Sequence, residues 1–182
     1  IYKEFKEEIT RFKVHFVNAD EKAKLEAFMF GCTSYTDKVN EAKLNPNVVG
    51  KDATWIAEQA GFKVPEDTQI ICAECKEVGP NEPLTREKLS PVLAVLKATS
   101  TEDGIAKSAA MVEFNGLGHS AAIHTQNHDI SVEFGLKCKA IRVIENAPST
   151  FGGIGSVYNA FIPSLTLGCG SYGHNSVSNN VS

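Results

Sequence analysis

The chain has 182 residues, a net charge of −4 and a hydrophobic fraction of 42%, a composition that excludes a disordered or fibrous protein. The sequence shows no dense Lys/Arg patch of the kind that binds nucleic acid, and no apolar run reaches the roughly 20 residues of a membrane-spanning helix. The charge is uneven, because residues 114–182 hold only 6 of the 40 charged side chains and 9 of the 14 glycines. We expect this charge-poor third to be buried, to line a site or to contact another chain.

Three helical patterns occupy the first sixty residues. Over residues 1–16, apolar side chains recur at steps of three and four, which predicts an amphipathic helix of about four turns. Asp20 is a candidate cap for a second, short helix that ends at Gly31. Asp52 is the corresponding cap for a third helix, which we expect to end at Gly61.

From residue 69 onward, the pattern alternates between strands and helices. Strands are predicted at 69–73, 91–96, 120–124 and 140–144, with one helix that begins at Ser100 or Thr101 and another at 130–138. Such alternation with short connections is typical of an α/β fold with a mostly parallel sheet and crossover helices. Beyond Asn146 the regular signals give way to a long Gly/Ser/Asn-rich stretch, whose apolar residues indicate an ordered segment.

Five cysteines are an odd number for a chain of this length, which favours a reducing cytosol and a cytoplasmic protein over a disulfide scaffold. Cys72 and Cys75 have the spacing of a redox or zinc half-site. A redox pair opens a helix, however, and these two lie in a predicted strand with no second cysteine pair nearby. Buried core thiols are therefore the favoured interpretation.

Three histidines, His119, His124 and His128, crowd one predicted strand and its ends. No acidic residue stands where a zinc-protease motif needs one, so we expect no metal site. His119 follows Gly116-Leu117-Gly118 at the entry to the strand. Its imidazole either faces a cleft or is a hydrogen-bonded structural group, and spacing leaves both interpretations open.

Two glycine clusters lie in the last third, Gly152-Gly153-Ile154-Gly155 and Gly168-Cys169-Gly170. Their backbone N–H groups suit a phosphate or a carbonyl oxygen, although tight turns explain the glycines equally well. Neither cluster follows a strand and opens a helix, so no Rossmann fingerprint is assigned. Cys169, between two glycines, is the best candidate in this sequence for a reactive or pocket-lining thiol.

Three segments, REKLSPVLAV from Arg86, GLGHS from Gly116 and PSLTLGCGS from Pro163, are long, ordered and specific. Together with their surroundings they resemble the CoA-acylating aldehyde dehydrogenases, above all the N-terminal half of the bifunctional aldehyde–alcohol dehydrogenases. The resemblance extends over nearly the whole chain. It implies that residues 1–182 form a single, partial catalytic-type domain of the aldehyde dehydrogenase fold.

The resemblance implies an NAD-dependent, CoA-acylating acetaldehyde dehydrogenase. In that chemistry a Cys thiolate attacks the aldehyde, hydride passes to NAD, and coenzyme A, the co-substrate, takes the acyl group from the thioester. The family's nucleophile lies in a segment of the type CASEQ, which this sequence does not contain. The resemblance places that segment and a Rossmann domain upstream of this chain, and an iron-dependent alcohol dehydrogenase domain downstream. The sequence opens on Ile1 rather than Met, so we expect it to begin inside a longer or a processed gene product.

Individual roles follow from the same resemblance. Glu87 matches a residue that hydrogen-bonds the nicotinamide ribose, and His119 matches a position where a neutral imidazole accepts a proton from CoA or orients the thioester. Cys169, with Gly168 and Gly170, matches the acyl/CoA pocket. The family also implies a homo-oligomer and no metal in this portion. A non-catalytic assembly or binding module with the same fold is the alternative, because full-length bifunctional members resemble filament builders.

Overall fold

The computed structural model describes residues 1–155, together with Ala160 and Tyr172. The chain divides into two compact units, residues 1–97 and residues 98–182. Parallel strands joined by helices occur in both units, which confirms the predicted α/β class. In the described residues, no helix has the length and apolar character needed to cross a membrane.

The first unit is built on a three-stranded parallel sheet in the order β1-β2-β3. Its elements are α1 (Tyr2–Thr10), β1 (Val14–Phe16), α2 (Ala19–Phe30), α3 (Ala53–Ala60), β2 (Ile70–Cys75) and β3 (Val92–Leu96), with 3₁₀-helical turns at Asp37–Glu41, Pro46–Val48 and Pro83–Thr85. In the register, Ile71 of β2 lies opposite His15 on one side and Val92 on the other. The predicted strands at 69–73 and 91–96 are therefore confirmed as β2 and β3.

The first helix is shorter than its apolar periodicity predicts. α1 ends at Thr10, and Lys13 adopts a left-handed backbone conformation with φ 63°. Phe16 belongs to β1, where it pairs with Cys72. The prediction of one helix over residues 1–16 is wrong at its C-terminal end, because hydrogen bonding to the sheet outweighs a continued helical period.

The cap of the second helix lies two residues before the residue that the sequence indicates. Asn18, rather than Asp20, is its cap: the Asn18 side chain accepts from the Glu21 N–H at 3.0 Å, and the Glu21 carboxylate accepts from the Asn18 N–H at 2.9 Å. This reciprocal pair is a capping box. The helix ends at Gly31 in a left-handed conformation with φ 71°, as predicted.

One apolar core holds the first unit together. It joins α2, α3 and one face of the sheet, and its fully buried side chains include Leu25, Met29, Ile56, Ile71 and Leu84. Leu84 sits in the turn Pro83–Thr85, so this core anchors the segment that precedes β3. At about 25 cal/mol per Å² of apolar surface, a fully buried Leu contributes roughly 1.5–3 kcal/mol.

The second unit contains a β-α-β crossover. Its described elements are α4 (Thr101–Asn115), β4 (Gly118–Ile123), α5 (His128–Lys137), β5 (Ala140–Glu145) and α6 (Ser149–Ile154). β4 and β5 pair in parallel, with Ser120 opposite Arg142, and the core is formed by Ile105, Phe134 and Cys138. The Ser100 side chain caps α4 by accepting from the Asp103 N–H. Of the two predicted first residues of this helix, Ser100 and Thr101, Ser100 is therefore the cap.

Helix α6 was not expected from the sequence. It packs at Gly152, where an added Cβ would lie 2.5 Å from Cγ2 of Ile144 in β5. Glycine at this position therefore serves a close approach of helix and strand. The first glycine cluster has this packing role in the described structure, and its final residue, Gly155, follows the helix with φ 93°.

Candidate functional site

Glu87 lies in the loop between the turn Pro83–Thr85 and strand β3, and its side chain is exposed. Its neighbour Lys88 is buried, with only 8% of its surface accessible. The Lys88 ammonium donates to the carbonyl oxygens of Leu84 at 2.6 Å and Arg86 at 2.8 Å. The loop therefore presents a carboxylate outward while a cation is held inward.

Burial has an electrostatic consequence for Lys88. Desolvation disfavours the charged ammonium and lowers the pKa of Lys88 to about 8, although the negative charge of Glu87 acts in the opposite direction. A pKa of about 8 still leaves most of the Lys88 population protonated at pH 7. The ammonium therefore remains a charged donor to its two carbonyls.

The segment before the Glu87 loop is fixed by a buried carboxylate. Glu82 is fully buried; its Oε2 accepts from Lys22 Nζ at 2.5 Å and from Ser34 Oγ at 3.0 Å, and its Oε1 accepts from the Lys76 N–H at 3.0 Å. Burial acts to raise the pKa of Glu82, but the hydrogen bonds from Lys22 and Lys76 outweigh it, and the pKa is lowered overall. Glu26 adds a second buried carboxylate, 2.6 Å from the same Ser34 Oγ, so the two carboxylates share the single hydroxyl proton of Ser34.

The network of Lys22, Ser34 and Glu82 lines one side of a cavity of about 510 Å³ beside the C-terminal ends of β1 and β2. Its lining includes Val17, Asn18, Lys22, Tyr35, Lys76 and Glu82. In parallel α/β sheets, ligands bind outside the carboxyl ends of the strands, which is where this cavity lies. Sequence reasoning missed the network because Lys22, Ser34 and Glu82 come from distant parts of the chain and form no motif.

His119 is the second residue of β4, in the other unit, and its side chain is exposed. The preceding Gly118 is buried and has φ 89°, a left-handed conformation that glycine adopts readily. The GLGHS segment thus turns sharply into the strand and leaves the imidazole open to solvent. An exposed imidazole keeps both ring nitrogens available for proton transfer.

The four cysteines in the described part of the chain are all buried. Cys72 and Cys75 are both buried in β2, and burial raises the pKa of Cys72 to about 11 and that of Cys75 to about 12. Such thiols are poor nucleophiles at neutral pH, so the interpretation as core residues is confirmed. Cys169, Gly168 and Gly170 lie outside the described residues, and their assignment to a pocket stays a prediction.

No protein-family model matches the chain. The sequence is 67% identical over all 182 residues to an aldehyde-alcohol dehydrogenase of Streptococcus pneumoniae serotype 4, and 61% identical over 181 residues to aldehyde-alcohol dehydrogenase 2 of Entamoeba histolytica. The chain spans only 21% of the length of each of these relatives. The structure matches an acetylating aldehyde dehydrogenase of Geobacillus thermoglucosidasius with a TM-score of 0.85 and 35% identity, covering 100% of this chain and 38% of that one.

The fold and these matches define the class that the chain is similar to: over its full length it matches a segment of acetylating aldehyde dehydrogenases and aldehyde-alcohol dehydrogenases. The relatives that match it over its full length at 61% identity or more are aldehyde–alcohol dehydrogenases, which are oxidoreductases. The resemblance carried by REKLSPVLAV, GLGHS and PSLTLGCGS is thereby confirmed. The roles of Glu87 and His119 are not tested by these matches.

Proposed function

We propose that this chain forms part of the catalytic domain of an NAD-dependent, CoA-acylating acetaldehyde dehydrogenase. The reaction converts acetaldehyde, CoA and NAD⁺ into acetyl-CoA, NADH and a proton. The observation that carries the proposal is the Glu87 loop, where a buried Lys88 and a core-anchored Leu84 present an exposed carboxylate. The 67% identity to a named aldehyde-alcohol dehydrogenase supports it.

The chemistry of Glu87 fits a nicotinamide nucleotide. A carboxylate has two oxygens that accept hydrogen bonds, and ribose offers two adjacent hydroxyl donors. Charge-assisted bonds of this kind are stronger than neutral ones, so one exposed Glu gives useful orientation to the nucleotide. When bound, NAD supplies the hydride acceptor; the role proposed for Glu87 is to orient it.

The remaining roles belong to acyl transfer. His119, as a neutral imidazole, accepts the proton of the CoA thiol, because the thiolate is the nucleophile that attacks the thioester. We place Cys169, Gly168 and Gly170 at the acyl/CoA pocket, and the thioester on a cysteine outside this sequence. We further propose that residues 1–182 act as one catalytic-type domain, in a cytoplasmic homo-oligomer.

A Glu87→Gln substitution tests this assignment in the gene product that carries residues 1–182. Gln keeps the side chain's size but removes its charge, so we expect the KM for NAD to rise about tenfold, the loss of one to two charge-assisted hydrogen bonds. Steady-state kinetics at saturating acetaldehyde and CoA measure the effect. Glu77→Gln, at another exposed glutamate of the same unit, is the matched control, and equal KM values for the Glu87 variant and the control would contradict the assignment.

The assembly-module alternative also has support in the structure. Helix α5 exposes Val132 and, one turn later, Leu136, whose accessible fraction is 83%. In the first unit, Phe12 is 68% exposed. Adjacent exposed apolar side chains, such as Val132 and Leu136 on one face of α5, are the starting point of an apolar contact surface. A gene product that self-associates but shows no dehydrogenase activity would favour this alternative.

A further inference from the structure

Lys88 is a buried cation whose hydrogen bonds are both to main-chain oxygens. In the described part of the chain, its ammonium contacts the carbonyls of Leu84 and Arg86 and no carboxylate within hydrogen-bond distance. Removing an ammonium from water is costly unless its protons are satisfied. A buried lysine with this bonding pattern therefore serves the backbone segment that it binds.

We propose that Lys88 is a positioning residue for Glu87: its ammonium ties together the carbonyls of Leu84 and Arg86 and so fixes the loop that presents the Glu87 carboxylate. This inference rests on the role for Glu87 in NAD binding proposed above. Lys88 does not itself contact the nucleotide. It acts on NAD affinity only through the conformation of residue 87.

The two hydrogen bonds of the Lys88 ammonium connect the Glu87 loop to the apolar core. Leu84 is fully buried in the apolar cluster of the first unit, and the bond from Lys88 to its carbonyl links residue 88 back to that fixed point. The second bond, to Arg86, closes on the residue directly before Glu87. Bonds from a charged donor are stronger than neutral ones, so Glu87 is held between two restrained neighbours.

The far side of the loop is also restrained. Leu89 adopts a left-handed conformation with φ 47° while 57% of its surface is exposed. A non-glycine residue pays for that conformation, so the surroundings must impose it. The Leu89 carbonyl accepts from the Gly50 N–H at 3.1 Å, which gives residues 87 and 88 a fixed point on each side.

The Lys88→Met substitution distinguishes the effect of the two hydrogen bonds of Lys88 from the effect of its packing. Met has nearly the length and apolar stem of Lys but no donor, so Lys88→Met leaves the buried Leu84 carbonyl and the partly buried Arg86 carbonyl without this partner. We expect hydrogen exchange of the amides in residues 84–91 to accelerate in the gene product that carries this chain. We also expect the KM for NAD to rise about fivefold to tenfold, with kcat at saturating NAD changed less than about twofold because residue 88 does not touch the reacting atoms.

Thr85→Val is the matched control for lost stability. Thr85 is buried in the same turn, donates to the Glu82 carbonyl at 2.7 Å and accepts from the Gly79 N–H at 3.2 Å, but it holds no residue beyond position 85. We expect it to lower the Tm and leave the KM for NAD unchanged. If Lys88→Met does not fold, Lys88→Gln keeps one shorter donor group, and we expect a smaller rise of the same KM.

Two results would overturn the positioning role alone. One is a Lys88→Met enzyme with wild-type exchange at residues 84–91 and a wild-type KM. The other is a Thr85→Val enzyme whose KM rises as much at the same loss of Tm. Failure of the proposed function is distinguishable, because Glu87→Gln would then leave the KM for NAD unchanged, which would overturn the role of Glu87 and the positioning role with it.

Discussion

Individual charged side chains in this chain do different work according to their burial. Glu82 is fully enclosed and shares its carboxylate among Lys22, Ser34 and the Lys76 main chain. Burying an ion pair recovers its desolvation cost only when further hydrogen bonds satisfy the charges, as they do at Glu82. Glu87, five residues later, is exposed and suited to a ligand. One short segment thus contains a buried structural carboxylate and an exposed carboxylate to which we assign nucleotide binding.

His119 is the residue whose proposed role is most open to a kinetic test. Replacing His119 with Ala in the gene product that carries this chain removes the group that we propose as the base for the CoA thiol. We expect acyl transfer to CoA to fall about a hundredfold, the low end of the contribution of general acid–base catalysis, while the KM for NAD stays within about twofold. Rapid-quench measurement of acyl transfer gives the first quantity and steady-state kinetics the second.

His124→Ala provides the control, since His124 is exposed just after the same strand. We expect its acyl-transfer rate to match that of the unaltered enzyme. An unchanged rate in His119→Ala would remove His119 from the proposed mechanism.

At the scale of elements, the second helix offers a direct comparison between a sequence signal and the observed cap. Asn18→Ala removes the side-chain acceptor of the capping box, and we expect the free energy of unfolding to fall by about 1 kcal/mol. Asp20→Ala removes the residue that the sequence favoured as cap, whose carboxylate forms an exposed ion pair with Lys24 in the described part of the chain. For Asp20→Ala we expect the free energy of unfolding to fall by less than about 0.5 kcal/mol. Urea unfolding curves measure the change in both variants.

Equal losses in the two variants would contradict the capping assignment. A larger loss for Asp20→Ala would place the cap where the sequence signal put it. The m-value serves as an internal check, because a change in m would indicate an altered denatured state rather than a lost cap.

Local sequence predicted the positions of the strands after residue 69 better than it predicted where the first helix ends. The alternation from residue 69 onward predicted β2, β3, β4 and β5 to within a few residues, because apolar runs and turn residues act locally. Residues 11–16 escaped prediction, since the partner that makes Phe16 a strand residue is Cys72, far along the chain. Helix α6 escaped for a similar reason: its Gly152 fits against Ile144 in β5.

The sequence predicted those parts of the candidate site that lie in one continuous motif. REKLSP and GLGHS placed Glu87 and His119 in segments that the structure shows as an exposed loop and a strand entry. The Lys22–Glu82–Ser34 network was not predictable, because its members meet only through the tertiary fold. The burial of Lys88 was also hidden, since a lysine beside an exposed glutamate reads as a second surface charge.

For the whole molecule, the uneven charge finds a partial explanation in the described residues. Apart from the buried Lys22–Glu82 pair, the charged first unit has ion pairs at its surface, for example Lys97 and Lys6 around Glu74, whose hydrogen bonds hold the pKa of Glu74 at about 2. The charge-poor second unit leaves Val132, Leu136 and Phe151 exposed. The first unit also exposes apolar side chains, Phe12 among them, so contact with other protein surfaces stays an expectation for the charge-poor part of the chain.

The most direct test of the account is the product formed from acetaldehyde. The purified gene product that carries residues 1–182, supplied with acetaldehyde, NAD and CoA, is predicted to form NADH and acetyl-CoA in equal amounts, followed by absorbance and mass spectrometry. The separate 182-residue chain, which contains no CASEQ-like segment, is predicted to form neither. NAD reduction that yields acetate without consuming CoA, or turnover by the separate chain, would contradict the account.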